Sequence, residues 1–182
     1  PSGPEPRLTI DASQRSIRTT GMPESAAPKL GKVDSRVTME VTVPENAHGV
    51  LYALAGFSGG ITCFLQEGHL CYEFNLFEIT RTKIRSAAKL PTGKVTVEVE
   101  SRLVEKIGGP MDVTLRVDGT SVGQARVPAA MSLHFTSNAT FDLGCDLDSP
   151  VSLDYYDQAP FAFNGTIGKT KIEYLKSAGP AR

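Results

Sequence analysis

The sequence predicts an all-β domain, an antiparallel two-sheet jelly-roll sandwich. Three observations carry this. Apolar residues recur at every second position in four separate segments. Turn-forming pairs rich in Gly, Pro, Asn and Asp stand between them, and no segment sustains a helical period for more than two turns. Many short alternating segments punctuated this way fit a sandwich rather than an α/β fold.

The elements follow in chain order. Residues 1–20, opening on Pro1–Pro6, read as a linker or lead-in with room for a first strand, and residues 21–176 as the sandwich. Val37, Met39, Val41 and Val43 alternate with Arg36, Thr38, Glu40 and Thr42, the pattern of a strand with one buried face. Gly56-Phe57-Ser58-Gly59-Gly60 is a bend between strands; it lacks the Gly-Lys-Ser/Thr ending of a phosphate loop. Leu70, Tyr72, Phe74 and Leu76 alternate with His69, Cys71, Glu73 and Asn75, after a turn at Glu67-Gly68. Val95, Val97 and Val99 form the next series, between Pro91-Thr92-Gly93 and Gly108-Gly109-Pro110. Val113, Leu115 and Val117 lead into Asp118-Gly119, which supplies the positive φ angles of a type I′ turn and places Leu115 opposite Val122. Asn164-Gly165 marks a last turn, and residues 177–182 read as a flexible tail.

Composition excludes several classes. The 182 residues carry a net charge of −1, without the basic excess expected of a nucleic-acid binder. The longest nearly apolar run, Gly49–Phe57, is far short of the roughly 20 residues of a membrane span. The chain begins with Pro1, and with its linker-like start this suggests a piece of a longer protein. Three widely spaced cysteines, Cys63, Cys71 and Cys145, are no disulfide framework. A two-residue turn at Glu67-Gly68 sends the Cys63 and Cys71 thiols to opposite faces; a three-residue turn makes a bridge conceivable. Reduced thiols lean towards a cytoplasmic setting, whereas an exported parent would place the chain in the periplasm. His48, His69 and His134 are scattered and there is no Cys-x-x-Cys pair.

Charge is unevenly placed. From Val127 to Gly168 there is no Lys or Arg, but Asp142, Asp146, Asp148, Asp154 and Asp157 all fall there. Asp142, Asp146 and Asp148 would offer carboxylate oxygens to a hard cation such as Ca2+, although the spacing is not that of an EF-hand. The alternatives are loop aspartates bonding their own backbone, or a partner-facing surface. Tyr155, Tyr156 and Phe161, with Asp157 among them and Phe163 beyond, form the candidate ligand or interface surface. Their rings would stack on a sugar or aryl group, or pack in a core.

Ordered strings carry a family resemblance. They include Gly21-Met22-Pro23-Glu24, Val43-Pro44-Glu45 before His48-Gly49-Val50-Leu51, Tyr72-Glu73-Phe74-Asn75-Leu76-Phe77 and Gly123-Gln124-Ala125-Arg126-Val127-Pro128. The most specific stretch is Asp142-Leu143-Gly144-Cys145-Asp146, with Ser149-Pro150-Val151-Ser152 and Asp154-Tyr155, and the series ends in Pro160-Phe161-Ala162-Phe163-Asn164-Gly165-Thr166-Ile167. From Gly21 to Tyr174 the chain resembles the C-terminal region of bacterial arylsulfatases of the type-I sulfatase family. The resemblance implies a concanavalin A/laminin G-like sandwich appended to an α/β core. It also implies that formylglycine and a divalent metal belong to that core, and that the partners are the catalytic core of the parent chain or a second copy. No catalytic residue carries over. None of the three cysteines is followed by the x-Pro-x-Arg that formylglycine formation requires.

The function implied is therefore a non-catalytic sandwich domain supporting a sulfate-ester hydrolase, its substrate cleft or its oligomer. The alternative is a calcium-assisted carbohydrate-binding module of concanavalin A-like fold. A third reading, a glycosidase, would use a pair among Glu40, Glu73 and Glu98 on one concave face.

Overall fold

The computed structural model describes residues 7–11, 21–23, 27–132, 135, 140–147 and 149–176. His134, Asp148 and, of the expected lead-in and tail, residues 1–6, 12–20 and 177–182 lie outside them. Two six-stranded sheets pack face to face, and every pairing between named strands is antiparallel. The first sheet contains β1 (Arg7–Asp11), β3 (Ser35–Val43), β8 (Gly93–Leu103), β9 (Met111–Val117), β10 (Thr120–Val127) and β12 (Thr166–Tyr174), in the order β1-β12-β3-β8-β9-β10. The second contains β2 (Met22–Pro23), β4 (Gly49–Gly56), β5 (Gly59–Gln66), β6 (His69–Leu76), β7 (Thr80–Lys89) and β11 (Thr140–Leu143), in the order β2-β11-β4-β5-β6-β7.

The alternation read from the sequence builds the core. Val37, Met39, Val41 and Val43 pair across β3–β8 with Val99, Val97, Val95 and Gly93, and their side chains are buried between the sheets. Leu54, Ile61, Cys63, Leu70, Tyr72 and Phe74 face them from the second sheet. This is the shared core of a two-sheet sandwich.

Two turns resolve as a two-residue connection. Glu67 (φ 50°) and Gly68 (φ 81°) join Gln66 to His69, so Phe64 stands opposite Cys71 and Cys63 opposite Tyr72. The Cys63 thiol lies in the main core and Cys71 on the other face of the sheet; both are free. Asp118 (φ 49°) and Gly119 (φ 82°) likewise pair Thr120 with Val117. The expected Leu115–Val122 pair, however, is replaced by Leu115–Gly123, with a bulge between Ser121 and Gly123. Space dictates this: a Cβ on residue 123 would lie 2.5 Å from Ile84 Cγ2. The extra residue brings a glycine to where β7 presses on β10.

A second difference concerns β6. Leu70, Tyr72 and Phe74 point inward as expected, but Cys71, Glu73 and Asn75 on the outward face are buried too. That face is covered by a third layer, described below.

One core position is imperfect. Thr170 of β12 stands opposite Met39, fully buried, and its hydroxyl has no hydrogen-bond partner among the described residues. An unsatisfied buried hydroxyl costs about 1–3 kcal/mol, and valine has nearly the same shape. Thr170→Val should therefore raise stability by about 1 kcal/mol in urea denaturation, with an unchanged m-value; a loss of stability would show that the hydroxyl is bonded.

Candidate functional site

After β11 the chain reverses at Gly144 (φ 79°) and runs back over the outward face of the second sheet as far as Phe163. Val151, Tyr155 and Phe161 of this segment bury themselves against Val50, Ala53, Phe64 and Cys71. Tyr155 stacks on Phe161 at 5.2 Å and meets Phe64 edge-on at 5.0 Å. Tyr155 and Phe161, for which the sequence allows either ligand stacking or core packing, are only 0% and 6% exposed. They turn inward because Val50 and Phe64 leave an apolar strip on the sheet's outer surface that must be covered.

Beside this strip runs a polar row. Strand register sets Asp142, Ala53, Thr62, Glu73 and Lys83 side by side across β11, β4, β5, β6 and β7. The covering segment matches them group for group. Tyr155 donates its hydroxyl to Asp146 Oδ2 (2.7 Å) and lies 3.0 Å from Thr62 Oγ1. Burial, then the Asp146 carboxylate, push the Tyr155 phenol far above its ordinary range. Ser152 donates to Glu73, and Arg81 Nη1 donates to Glu73 Oε1 (2.8 Å) and to Val151 O (2.9 Å). Lys83 Nζ lies 2.7 Å from Asp154 Oδ1 and 3.9 Å from Glu73 Oε2. Glu73 is thus a fully buried carboxylate held by an arginine, a lysine and a serine. Strand alternation treats it as a solvent-facing acid like Glu40 and Glu98, which lie on the outer face of the other sheet. The three are therefore not on one concave face.

The acidic candidates have specific places. Asp142 accepts from Gly21 N, from the Thr140 hydroxyl (2.9 Å) and from Leu147 N (3.4 Å). Asp146 accepts from Val151 N (2.9 Å) and Tyr155. Both are buried and tie the covering segment to β11 and to itself. Asp157 is exposed, on the short 3-10 helix Leu153–Gln158. Among the described residues no three His, Cys, Asp or Glu side chains are grouped as metal ligands; Asp148 is outside that set. Burial, then Asp142 and Asp146, push the Cys145 thiol up to about 11.

The same helix leaves Tyr156 51% exposed, and there it joins an unforeseen group. Phe57, at the β4–β5 tip, meets Tyr156 edge-on at 5.7 Å, and the Arg81 guanidinium lies 5.6 Å from the Phe57 ring centroid. Phe77, from the β6–β7 tip, packs against Gly59, where an added Cβ would sit 3.4 Å from its Cδ1. Phe77 (φ 50°) and Glu78 (φ 61°) occupy the central positions of that turn, normally the place of Asn and Gly. Large side chains in left-handed backbone at an exposed tip are strained, and such strain concentrates at functional sites. Phe77 is 45% and Ile79 84% exposed.

One buried residue fixes this platform. Asn75 Nδ2 donates to Phe57 O (2.7 Å) and Val151 O (3.4 Å), and its Oδ1 accepts from Glu78 N (2.9 Å). A single side chain thereby joins both hairpin tips and the covering segment. By contrast, the outer face of the first sheet is an ionic lattice, with Arg36 on Glu100 (2.6 Å) and Arg116 on Glu98 (2.7 Å).

The architecture is shared with known structures. The chain is similar to the Ruminococcus gnavus IT-sialidase CBM40 bound to α2,6 sialyllactose, at 14% identity and TM-score 0.62, over 93% of this chain and 94% of that one. It is similar to domains LG4-5 of the mouse laminin α1 chain, at 15% identity and TM-score 0.58, over 98% of this chain and 45% of that one. It is also similar to domain 4 of AbnA, a GH43 extracellular arabinanase of Geobacillus stearothermophilus in complex with arabinotriose, at 15% identity and TM-score 0.52, over 80% and 63%. At these identities the likeness establishes a concanavalin A/laminin G-like sandwich, as the sequence implied. None of the three is a sulfatase. No family model matches the chain, and no curated protein matches it.

Two outcomes follow from this geometry. Asn75→Ala removes three bonds of a buried group and should cost about 2–3 kcal/mol. It should also raise amide exchange selectively at Glu78, whose N–H donates to Asn75; uniform exchange would show that Asn75 does not anchor the tips. In native protein, iodoacetamide at pH 8 should leave Cys63 and Cys71 unlabelled and modify Cys145 slowly, at a rate that rises with pH towards about 11 as the thiolate forms. Rapid labelling of Cys145 at pH 8 would contradict its environment.

Proposed function

We propose that this chain is a non-catalytic carbohydrate-binding domain whose ligand rests on the platform of Phe57, Phe77, Tyr156 and Arg81. The observation that carries this reading is that three partly exposed aromatic rings come from three segments whose backbones buried Asn75 ties together. Rings held this way offer flat faces to the C–H side of a pyranose without losing side-chain entropy on binding. Arg81 adds donors for hydroxyls at the rim, its direction fixed by Glu73. The likeness to sugar-complexed sandwich modules supports the same class.

The resemblance to arylsulfatases supplies a compatible context. The strings on which it rests most, Asp142–Asp146 and Ser149–Ser152, build the covering segment that positions Tyr156. In that setting the domain would present glycan to a hydrolase core elsewhere in a parent chain. The purified chain alone should release no 4-nitrophenol from 4-nitrophenyl sulfate, because no x-Pro-x-Arg follows any of its cysteines.

The test is a glycan array followed by calorimetry on the best saccharide. Phe57→Ala and Tyr156→Ala should each weaken binding about tenfold, or about 1.4 kcal/mol, with Tm nearly unchanged for Tyr156→Ala. Absence of any glycan on the array, or full affinity in the double variant, would overturn the reading. The same titration in EDTA decides the role of calcium: unchanged affinity leaves the platform sufficient, and lost affinity assigns an ion to the acidic segment.

A further inference from the structure

We propose that the cleft at the opposite end of the sandwich is a second ligand site, one that takes a carboxylate-bearing sugar. It does not rest on the platform reading, since the Phe57 and Phe77 tips lie at the other end of the same hairpins. The cleft has a volume of about 540 Å³. Val43, Ala47 and Leu90 form its apolar floor, and His48, Lys89 and Thr92 stand around it. A concave apolar floor with a few convergent polar groups is the usual make-up of a small-molecule site.

The walls are braced before any ligand arrives. Gly68 N donates to Ala47 O (2.9 Å) and Leu90 N to Gly68 O (2.8 Å). Asn164 fastens the 44–48 loop three times. Its Oδ1 accepts from His48 N (2.9 Å), its Nδ2 donates to Asn46 O (3.1 Å), and its backbone N donates to His48 O (3.1 Å). Such preorganisation lowers the ordering cost of binding.

Two polar groups set the ligand class. The Glu67 carboxylate at the rim is turned to Arg85 Nη2 at 3.2 Å, so it does not neutralise Lys89. Lys89 has no ion-pair partner among the described residues; its stem lies along Gly68, 3.2–3.4 Å from where a Cβ would be. An ammonium on the wall of a cleft, held by its stem and lacking a counter-charge, favours an anion. His48 stacks on Phe161 at 6.0 Å, and its Nδ1 bonds the Asn46 carbonyl at 2.9 Å. A carbonyl only accepts, so Nδ1 carries the proton, and in the uncharged form of the ring Nε2 is the free acceptor. A ligand that meets both offers a carboxylate to Lys89 and a hydroxyl donor to His48 Nε2, with Thr92 and the Asn46 amide for further hydroxyls. A sugar acid carries both groups on one ring; a simple sugar or a simple carboxylate carries one.

The experiment is a two-dimensional amide NMR titration of the full chain with sodium D-glucuronate, with D-glucose and with sodium chloride at equal ionic strength. Glucuronate should give saturating shifts at Ala47, Gly68 and Leu90, larger than either control, while Ser58, Glu78 and Tyr156 report the platform separately. Lys89→Met keeps the apolar stem and should weaken glucuronate about tenfold without moving Tm. The proposal is overturned if glucuronate gives no saturating shifts at the three cleft amides. It is equally overturned if sodium chloride reproduces them, or if Lys89→Met binds like the parent chain. Shifts confined to Ser58, Glu78 and Tyr156 would sink the cleft and leave the platform standing.

Discussion

The Glu73 carboxylate, fully buried on the outer face of the second sheet, is the constraint on which the molecule's outer layer depends. An ion withdrawn from water costs several kcal/mol unless its charge and lone pairs are matched in place. Arg81 meets one oxygen and Ser152 the other. Ser152 belongs to the covering segment, so the segment must lie where its hydroxyl reaches the sheet. The same Arg81 nitrogen also grips Val151 O. Once Val151 and Ser152 are fixed, the 3-10 helix begins with Ser152 as its cap, accepting from Asp154 N at 3.1 Å. Tyr155 then falls inward and Tyr156 outward, beside Phe57. The exposed platform is therefore a geometric result of how one buried charge is satisfied.

The two-sheet architecture was legible because its signals are local. Val37–Val43, Val95–Val99 and Val113–Val117 alternate as their burial does, and Asp118-Gly119 takes the left-handed angles its residue types favour. Alternation, however, reports only parity. Glu73 and Glu98 sit in the same kind of pattern, yet one is sealed under a third layer and the other shares an ionic lattice. What separates them is a segment nearly 80 positions along the chain, which no local window contains. The acidic stretch is opaque in sequence for the same reason. Its aspartates look like surface charges, but Asp142 and Asp146 serve as acceptors for backbone amides and hydroxyls in the interior. Asn75, the anchor of the platform, had no signal at all, since its three partners lie 3, 18 and 76 positions away.

The exposed faces of the sandwich are already satisfied, one by paired charges and the other by the covering segment. The two ends are different. At one, apolar rings remain uncovered on strained turns; at the other, a lysine and a fixed imidazole border a braced cleft. Among the described residues, the candidate ligand groups thus gather at the connections between strands, where a rigid scaffold presents side chains without depending on them for its stability.

The neck of the covering segment has a consequence of its own. Phe163 N bonds Gly144 O at 2.9 Å, so the two ends of this stretch meet beside β4. A stretch that leaves and rejoins the sheet at one point behaves as a cassette. Its length and sequence can drift, or be exchanged wholesale, without shifting the register of any strand, provided a hydroxyl for Glu73 and a ring for Phe64 return with it. Chains of this architecture can therefore diversify what they display at one end while keeping the same two-sheet frame.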